Sequence, residues 1–254
     1  MPELPHRLDR TVLIHAHRDT VFRYFTDSAH WAAWWGAGST IDPQPGGKVY
    51  IRHANGVEVL GEVLAIHPPG EITFTYGYAS GQPIGPGASR VTIRVEADPA
   101  GAILRLSHEF ADAGARDLHI QGWRFQLSLF ANVVANEVFA GAAETVDAWF
   151  AAWTIADTAA RDAALARIAV PEVRFADRYS LLTGLPDVSA HIAAALRFMP
   201  GVSLQRSGPI RQCQGSVLAN WAASGPGGQA AMTGTTCFLL DPDGRIRSAT
   251  GFTN

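Results

Sequence analysis

Gly122-Trp-Arg-Phe-Gln-Leu-Ser-Leu-Phe-Ala-Asn-Val-Val-Ala-Asn-Glu-Val138 decides the fold of the first half of this 254-residue chain. Trp123, Leu127, Phe130, Val134 and Val138 recur at intervals of four, three, four and four, which is one apolar stripe of a long helix. Such a stripe has to be covered, and the residues upstream supply a sheet to cover it. Thr11–Ala16 reads as a strand with Val12, Ile14 and Ala16 on one face, Arg18–Phe25 as a short amphipathic helix, and Trp31, Trp34 and Trp35 as a helical face stopped by Gly36. Strands are expected at 40–43, 48–53, 57–67, 71–78, 91–97 and 102–110, between turns at Pro45-Gly46-Gly47, Asn55-Gly56, Pro68-Pro69-Gly70 and Asp98–Gly101. The expectation is an antiparallel meander curled around the long helix, an α+β layer fold.

After Ala140-Gly-Ala-Ala143, a small-residue stretch that reads as a hinge, the pattern restarts. Glu144–Ile155 is a helix with Val146, Trp149, Phe150 and Trp153 on its apolar side, and Arg161–Ile168 continues helical towards Pro171. Glu172–Asp177 is a short strand, Thr183-Gly184 a turn, and Val188–Phe198 a helix presenting Ile192, Leu196 and Met199. Strands at 202–213, 216–223, 229–241 and 246–252 close the chain, the second and third joined by Ser224–Gly228. Three helices before a long-stranded sheet make a cone-shaped α+β barrel whose mouth opens towards the helices. The organisation expected is two domains, 8–138 and 140–254.

Hydrophobic residues make up 47% and charged residues 17%, so there is material for packed cores and no signature of disorder. A net charge of −3 excludes a generally basic, nucleic-acid-binding surface. No stretch reaches the roughly 20 apolar residues of a membrane helix, and Met1–Arg7 lacks the apolar run of a signal peptide. Cys213 and Cys237 match no metal spacing and fall on different strands with a third between them, so free thiols and a cytoplasmic setting are expected.

Several motifs, in order, resemble the heat-shock-protein-90-ATPase-activator-like branch of the SRPBCC (START-like) superfamily. They are Ala16-His-Arg-Asp-Thr-Val-Phe22, Thr26-Asp27, Trp34-Trp35, Pro45-Gly46-Gly47, Gly61-Glu-Val-Leu-Ala-Ile-His-Pro68, and Gly122-Trp123 with Leu127 and Phe130. The resemblance implies a helix-grip cup holding a cavity for lipids, sterols or polyketides. Nothing ahead of Leu8 is expected to serve as the chaperone-binding region of the eukaryotic co-chaperone, so a chaperone partner is not expected. The second half is similar to the SnoaL-like, nuclear-transport-factor-2-like superfamily in Val173-Arg-Phe-Ala-Asp177, the Gly184 turn, Met199-Pro-Gly201, the Trp221 strand, Thr233-Gly234, Cys237–Asp241, Asp243–Ile246 and Gly251-Phe252. That resemblance implies a pocketed domain whose relatives include isomerases, polyketide cyclases and non-catalytic binders, and homodimerisation through the sheet.

Asp177 is the candidate catalytic residue: in ketosteroid-isomerase-like relatives this position carries the carboxylate that moves a proton beside a carbonyl. The same resemblance puts Trp149 where those enzymes have a phenol and Thr236 where they have an acid, so the isomerase set is incomplete. The alternative for Asp177 is a turn cap or a partner for Arg178. Of nine histidines, eight lie in the first half, with no metal-binding spacing, so neither a metal nor a cofactor is expected. Candidate ligand-binding residues are Tyr50, Arg52, Phe74, Tyr76, His108 and Trp123 in the first domain, and Trp153, Phe175, Tyr179, Trp221 and Phe252 in the second, each weighed against ordinary core packing. Three readings follow: a binding protein for hydrophobic small molecules with two cavities, an isomerase, cyclase or dehydratase using Asp177 as base, and a co-chaperone-like or regulatory interaction module.

Overall fold

A computed structural model describes residues 3–226 and 230–254. Part of the expected Ser224–Gly228 turn, and Gln229 at the start of the strand expected after it, lie outside the described residues. Two compact units are present, Met1–Val134 and Ala135–Asn254.

The first unit runs β1 (His6–Ile14), α1 (Arg18–Arg23), α2 (Ser28–Trp35), β2 (Thr40–Ile41), β3 (Lys48–Arg52), β4 (Glu58–His67), β5 (Glu71–Tyr76), β6 (Ser89–Asp98) and β7 (Gly101–Phe110). Then comes α3 (Ala113–Val138), with the division between units falling in its last turns. The seven strands form one antiparallel sheet in the order β1-β7-β6-β5-β4-β3-β2, the meander expected, with β1 added beyond the final hairpin. Asp27 starts α2 by accepting the His30 backbone N–H at 2.9 Å, which satisfies one of the donors a helix leaves free at its start.

The α3 stripe is buried as its spacing requires: Trp123, Leu127, Phe130 and Val134 are at most 3% exposed. Beneath it the cup is largely filled. Trp31, Trp34, Phe25, Phe74 and Phe130 are each no more than 1% exposed. Phe25 stacks on Phe130 with centroids 5.3 Å apart, and Trp34 meets Phe130 edge-on at 4.9 Å. Rings in these geometries each bury a large apolar area and interlock, leaving little room between them. Phe74, expected to touch ligand, is part of this plug, 5.7 Å from Trp31.

The second unit comprises α4 (Ala142–Ala152), α5 (Thr158–Ile168), β8 (Ala169–Ala176), β9 (Leu181–Thr183), α6 (Leu185–Phe198), β10 (Ser203–Arg206), β11 (Arg211–Cys213), β12 (Ser216–Ser224), β13 (Ala230–Leu240) and β14 (Ile246–Thr253). Its sheet runs β10-β12-β13-β14-β8-β9, with β11 also on β12, and only β14 and β8 are parallel. β10 and β9 end this order among the described residues, so the cone-shaped sheet expected is an open one. The single strand expected over 202–213 is broken between Arg206 and Arg211, where Gly208 takes a φ of +80° and Pro209 has no N–H to donate. The helix expected to reach Pro171 stops at Ile168, and Pro171 falls where β8 has lost register with β14.

Arg161, 1% exposed, locks the helices of this unit together. Its Nε donates to Ser189 Oγ at 2.9 Å on α6, and Nη1 donates to the carbonyls of Ile155 and Ala156 at 2.9 and 3.2 Å. Ser189 in turn donates to Asp162, so a hydroxyl links the buried cation to a carboxylate.

Candidate functional site

In the second unit, α4, α6 and the concave sheet face leave a cavity of about 540 Å³. That volume is within the range of small-molecule sites. Strand alternation decides which side chains reach it. From β8 and its end come Phe175 and Asp177, from β12 Trp221 and Ala223, from β13 Met232 and Thr236, and from β14 Gly251 and Thr253. Phe252, between the last two, points to the other face and is 58% exposed, so this expected ligand residue is displaced by one step of the strand.

The Trp221 ring lies over Gly234, its partner across the ladder, in space that a side chain there would fill. A Cβ there would sit 2.3 Å from the Trp221 ring and 2.3 Å from the Phe252 carbonyl oxygen. Glycine therefore sets the position of one cavity wall.

Asp177 closes a tight turn. Its backbone N–H donates to the Ser180 carbonyl at 2.9 Å, and its Oδ1 accepts the Tyr179 N–H at 2.8 Å. The turn-capping alternative thus holds, yet the side chain also lines the cavity, with Ser180 and Tyr179 beside it. Across from them α6 contributes His191, whose Nε2 is 3.4 Å from Ser180 Oγ. The imidazole lies edge-on to Trp153 at 5.7 Å and 6.0 Å from Phe175. His191, Ala194, Ala195 and Phe198 all line the cavity at helical spacing i, i+3, i+4 and i+7, and the two alanines make room where larger residues would fill it. Trp149 and Thr236, at the phenol and acid positions of the isomerase comparison, line it as well.

The first unit keeps a hollow of about 440 Å³ at the end of its aromatic plug, lined by Trp35, His53, Tyr76, Tyr78, His119 and Trp123 among others. Two hydrogen-bond chains organise its wall. The Trp123 indole N–H donates to His108 Nδ1 at 2.8 Å, so the proton of His108 is on Nε2, which donates to Ser89 Oγ at 2.8 Å. The Ser89 hydroxyl donates onward to the Tyr76 carbonyl at 2.7 Å. In the second chain His119 Nδ1–H donates to the Ala115 carbonyl at 2.7 Å, leaving Nε2 to accept the Tyr78 hydroxyl at 3.2 Å. Burial, with His119 nearby, holds His108 well below the ordinary histidine range, and burial lowers His119 and His53 too. Burial, with Tyr78 second, raises Tyr76 well above the usual phenol value. All four groups are neutral at pH 7.

Of the first-unit candidates, Tyr76 and Trp123 line this hollow. His108 is fully buried behind it and orients Trp123. Tyr50 and Arg52 do not reach it: Tyr50 donates to Glu58 across the β3–β4 ladder at 2.6 Å, and Arg52 is on an exposed strand position. Neither β3 residue lines the hollow because strand alternation turns Val49 and Ile51 to the buried face and Tyr50 and Arg52 to the other. Among the described residues no group of His, Cys, Asp and Glu is placed to hold a metal.

Residues 15–135 match the family described as "Activator of Hsp90 ATPase homolog 1-like protein". The match runs through the first unit from the end of β1 onward and stops where the second unit begins. Among solved structures, a SnoaL-like family putative isomerase from Agrobacterium tumefaciens is 24% identical over 46% of this chain and 98% of its own, with a TM-score of 0.43. Protein MLL2253 from Mesorhizobium loti is 20% identical over 52% of this chain and 98% of its own, with a TM-score of 0.45. The Aha1 dimer from Colwellia psychrerythraea is 13% identical over 48% of this chain and 90% of its own, with a TM-score of 0.41. No curated protein matches the chain.

Proposed function

We propose that the protein binds a hydrophobic small molecule, with the second unit's cavity as the principal site. The supporting observation is the open hollow of about 540 Å³ among Trp149, Trp153, Phe175, Trp221 and Met232, with Asp177, Ser180, His191 and Thr236 as the polar points. Apolar walls supply the driving force by releasing water, and a few polar groups fix orientation. The ligand this suits has an apolar or aromatic body and one polar end, such as a lipid, polyketide or aromatic ketone. The hollow of the first unit is smaller and has a more polar rim, which makes it the secondary site.

A panel of such ligands tests the reading by thermal shift. A ligand at 100 times its Kd stabilises the native state by about 2.7 kcal/mol. Absence of any shift across fatty acids, polyketides and aromatic ketones overturns it.

The catalytic reading rests on Asp177, a carboxylate on the cavity wall with one oxygen held by the turn. Proton transfer beside a carbonyl would place Asp177 as base. Asp177→Asn then abolishes turnover while retaining ligand binding, and an unchanged rate removes this reading. The wider reading has the protein in the cytoplasm with both thiols free, as Cys213 and Cys237 are here. It also has the protein pairing through the outer sheet face, where Leu239 and Phe252 are 47% and 58% exposed. Light scattering distinguishes monomer from dimer.

A further inference from the structure

The mouth of the second unit's cavity is rimmed by apolar side chains that nothing in the unit covers. Tyr179, Phe198 and Met199 line the cavity and are 78%, 86% and 43% exposed, and Leu181, two residues after Tyr179, is 76% exposed. Leaving several large apolar groups together in water is costly, and such patches mark places where an apolar phase is met. The rim segments 177–181 and 197–201 carry Arg178 and Arg197, both exposed, against one acid, Asp177, which is half-buried with an oxygen held by the Tyr179 N–H. The Arg178 guanidinium sits 5.6 Å from the centroid of the exposed Tyr179 ring. A cation paired with an aromatic ring beside protruding Phe, Leu and Met is the composition of a surface that dips into the headgroup layer of a bilayer. Among the described residues no helix is long and apolar enough to cross a membrane, so any such contact is peripheral.

We propose that this rim docks on an anionic lipid surface, so that the cavity opens directly onto the phase from which an apolar ligand is drawn. Charge selects the partner. Two exposed arginines against the single half-buried carboxylate of Asp177 leave the rim net positive, which favours phosphatidylserine-type headgroups over neutral ones, whereas a protein partner or a second copy would have to bring its own acidic groups to the same place. The proposal rests on reading the cavity as a ligand site for its purpose, but not for its test, because docking is measured without ligand.

The experiment is co-sedimentation of the full chain with vesicles of phosphatidylcholine alone and of phosphatidylcholine with phosphatidylserine. Binding is expected to the anionic vesicles, to weaken with added salt, and to fall about fivefold for each of Arg178→Ala and Arg197→Ala, the contribution of one surface arginine near such a membrane. Phe198→Ser weakens it further, while Leu60→Ser, at a 39% exposed apolar position on β4, leaves it unchanged. All four positions are substantially exposed, and unchanged melting temperatures exclude misfolding as the cause. No binding to anionic vesicles, equal binding to neutral ones, or binding indifferent to the rim substitutions overturns the proposal. So does concentration-dependent self-association that the same substitutions abolish, since a second copy would then be the occupant. Ligand binding in solution without vesicle binding sinks the docking proposal and spares the cavity. Vesicle binding without ligand binding does the reverse.

Discussion

Acidification singles out His108. The residue is fully buried, its Nδ1 accepts from Trp123, its Nε2–H donates to Ser89, and burial drives its pKa well below the ordinary 6.5. A second proton on Nδ1 would place N–H against N–H at Trp123 on a residue closed off from solvent, which favours the neutral form in the folded chain. The unfolded chain protonates normally near 6.5. Proton uptake by the unfolded state alone lowers stability as pH falls below about 6.5, and the loss ends only where the folded imidazole itself protonates. With RT of about 0.59 kcal/mol, the His108 share of stability lost is at most about 1.4 kcal/mol at pH 5.5 and about 2.7 at pH 4.5, the limits for an imidazole neutral in the folded chain. Urea unfolding of the wild type and of His108→Gln at each pH isolates this share, because other titrating groups cancel in the difference. The variant is less stable at pH 7.5, where it has lost the Trp123 pairing, and its disadvantage shrinks by at most about 1.4 kcal/mol by pH 5.5. A difference that stays flat, or a His108 resonance titrating near 6.5, refutes the tautomer and the burial argument together.

Arg161→Met keeps much of the side-chain volume but takes the donor from the carbonyls of Ile155 and Ala156 and leaves Ser189 Oγ only its bond to Asp162; chemical denaturation should show a loss of about 3 kcal/mol in the second unit. Gly234→Ala forces the Trp221 ring off its seat, since backbone on the other side cannot yield. It costs about 2 kcal/mol or more and weakens ligand binding along with stability, both readable from one thermal-shift series with and without ligand.

How far the sequence carried the fold can be traced residue by residue. The Trp123–Val134 stripe and the strand alternation around Asn55-Gly56 are periodic over many residues, so helix, meander and layer order are legible. The three-residue β9 is too short to have a period, and the only local sign of the break in the 202–213 segment is Gly208-Pro209. Sites are harder because facing depends on register. Gly251, Phe252 and Thr253 are adjacent, yet only the first and third reach the cavity, and nothing local fixes that phase. Tyr50 has the amphipathic character of a ligand anchor, but Glu58 became its partner only through β3–β4 pairing. His108 looked like a cavity group because a lone strand histidine does not reveal the Trp123 and Ser89 that enclose it. His191 and Ser180 were missed, although Ala194 and Ala195 beside His191 on one helical face were a readable hint of space kept open.

The account turns on the second unit's cavity accepting an apolar ligand, and blocking it is the direct test. Ala195 lies on the α6 wall, and Ala195→Trp places an indole in the space of about 540 Å³. Titration with the fluorescent apolar anion 1-anilinonaphthalene-8-sulfonate, on wild type and variant at matched stability, should show a saturable site in the wild type that is lost or weakened at least tenfold in the variant. Equal binding by the two proteins, or no saturable binding by either, would contradict it.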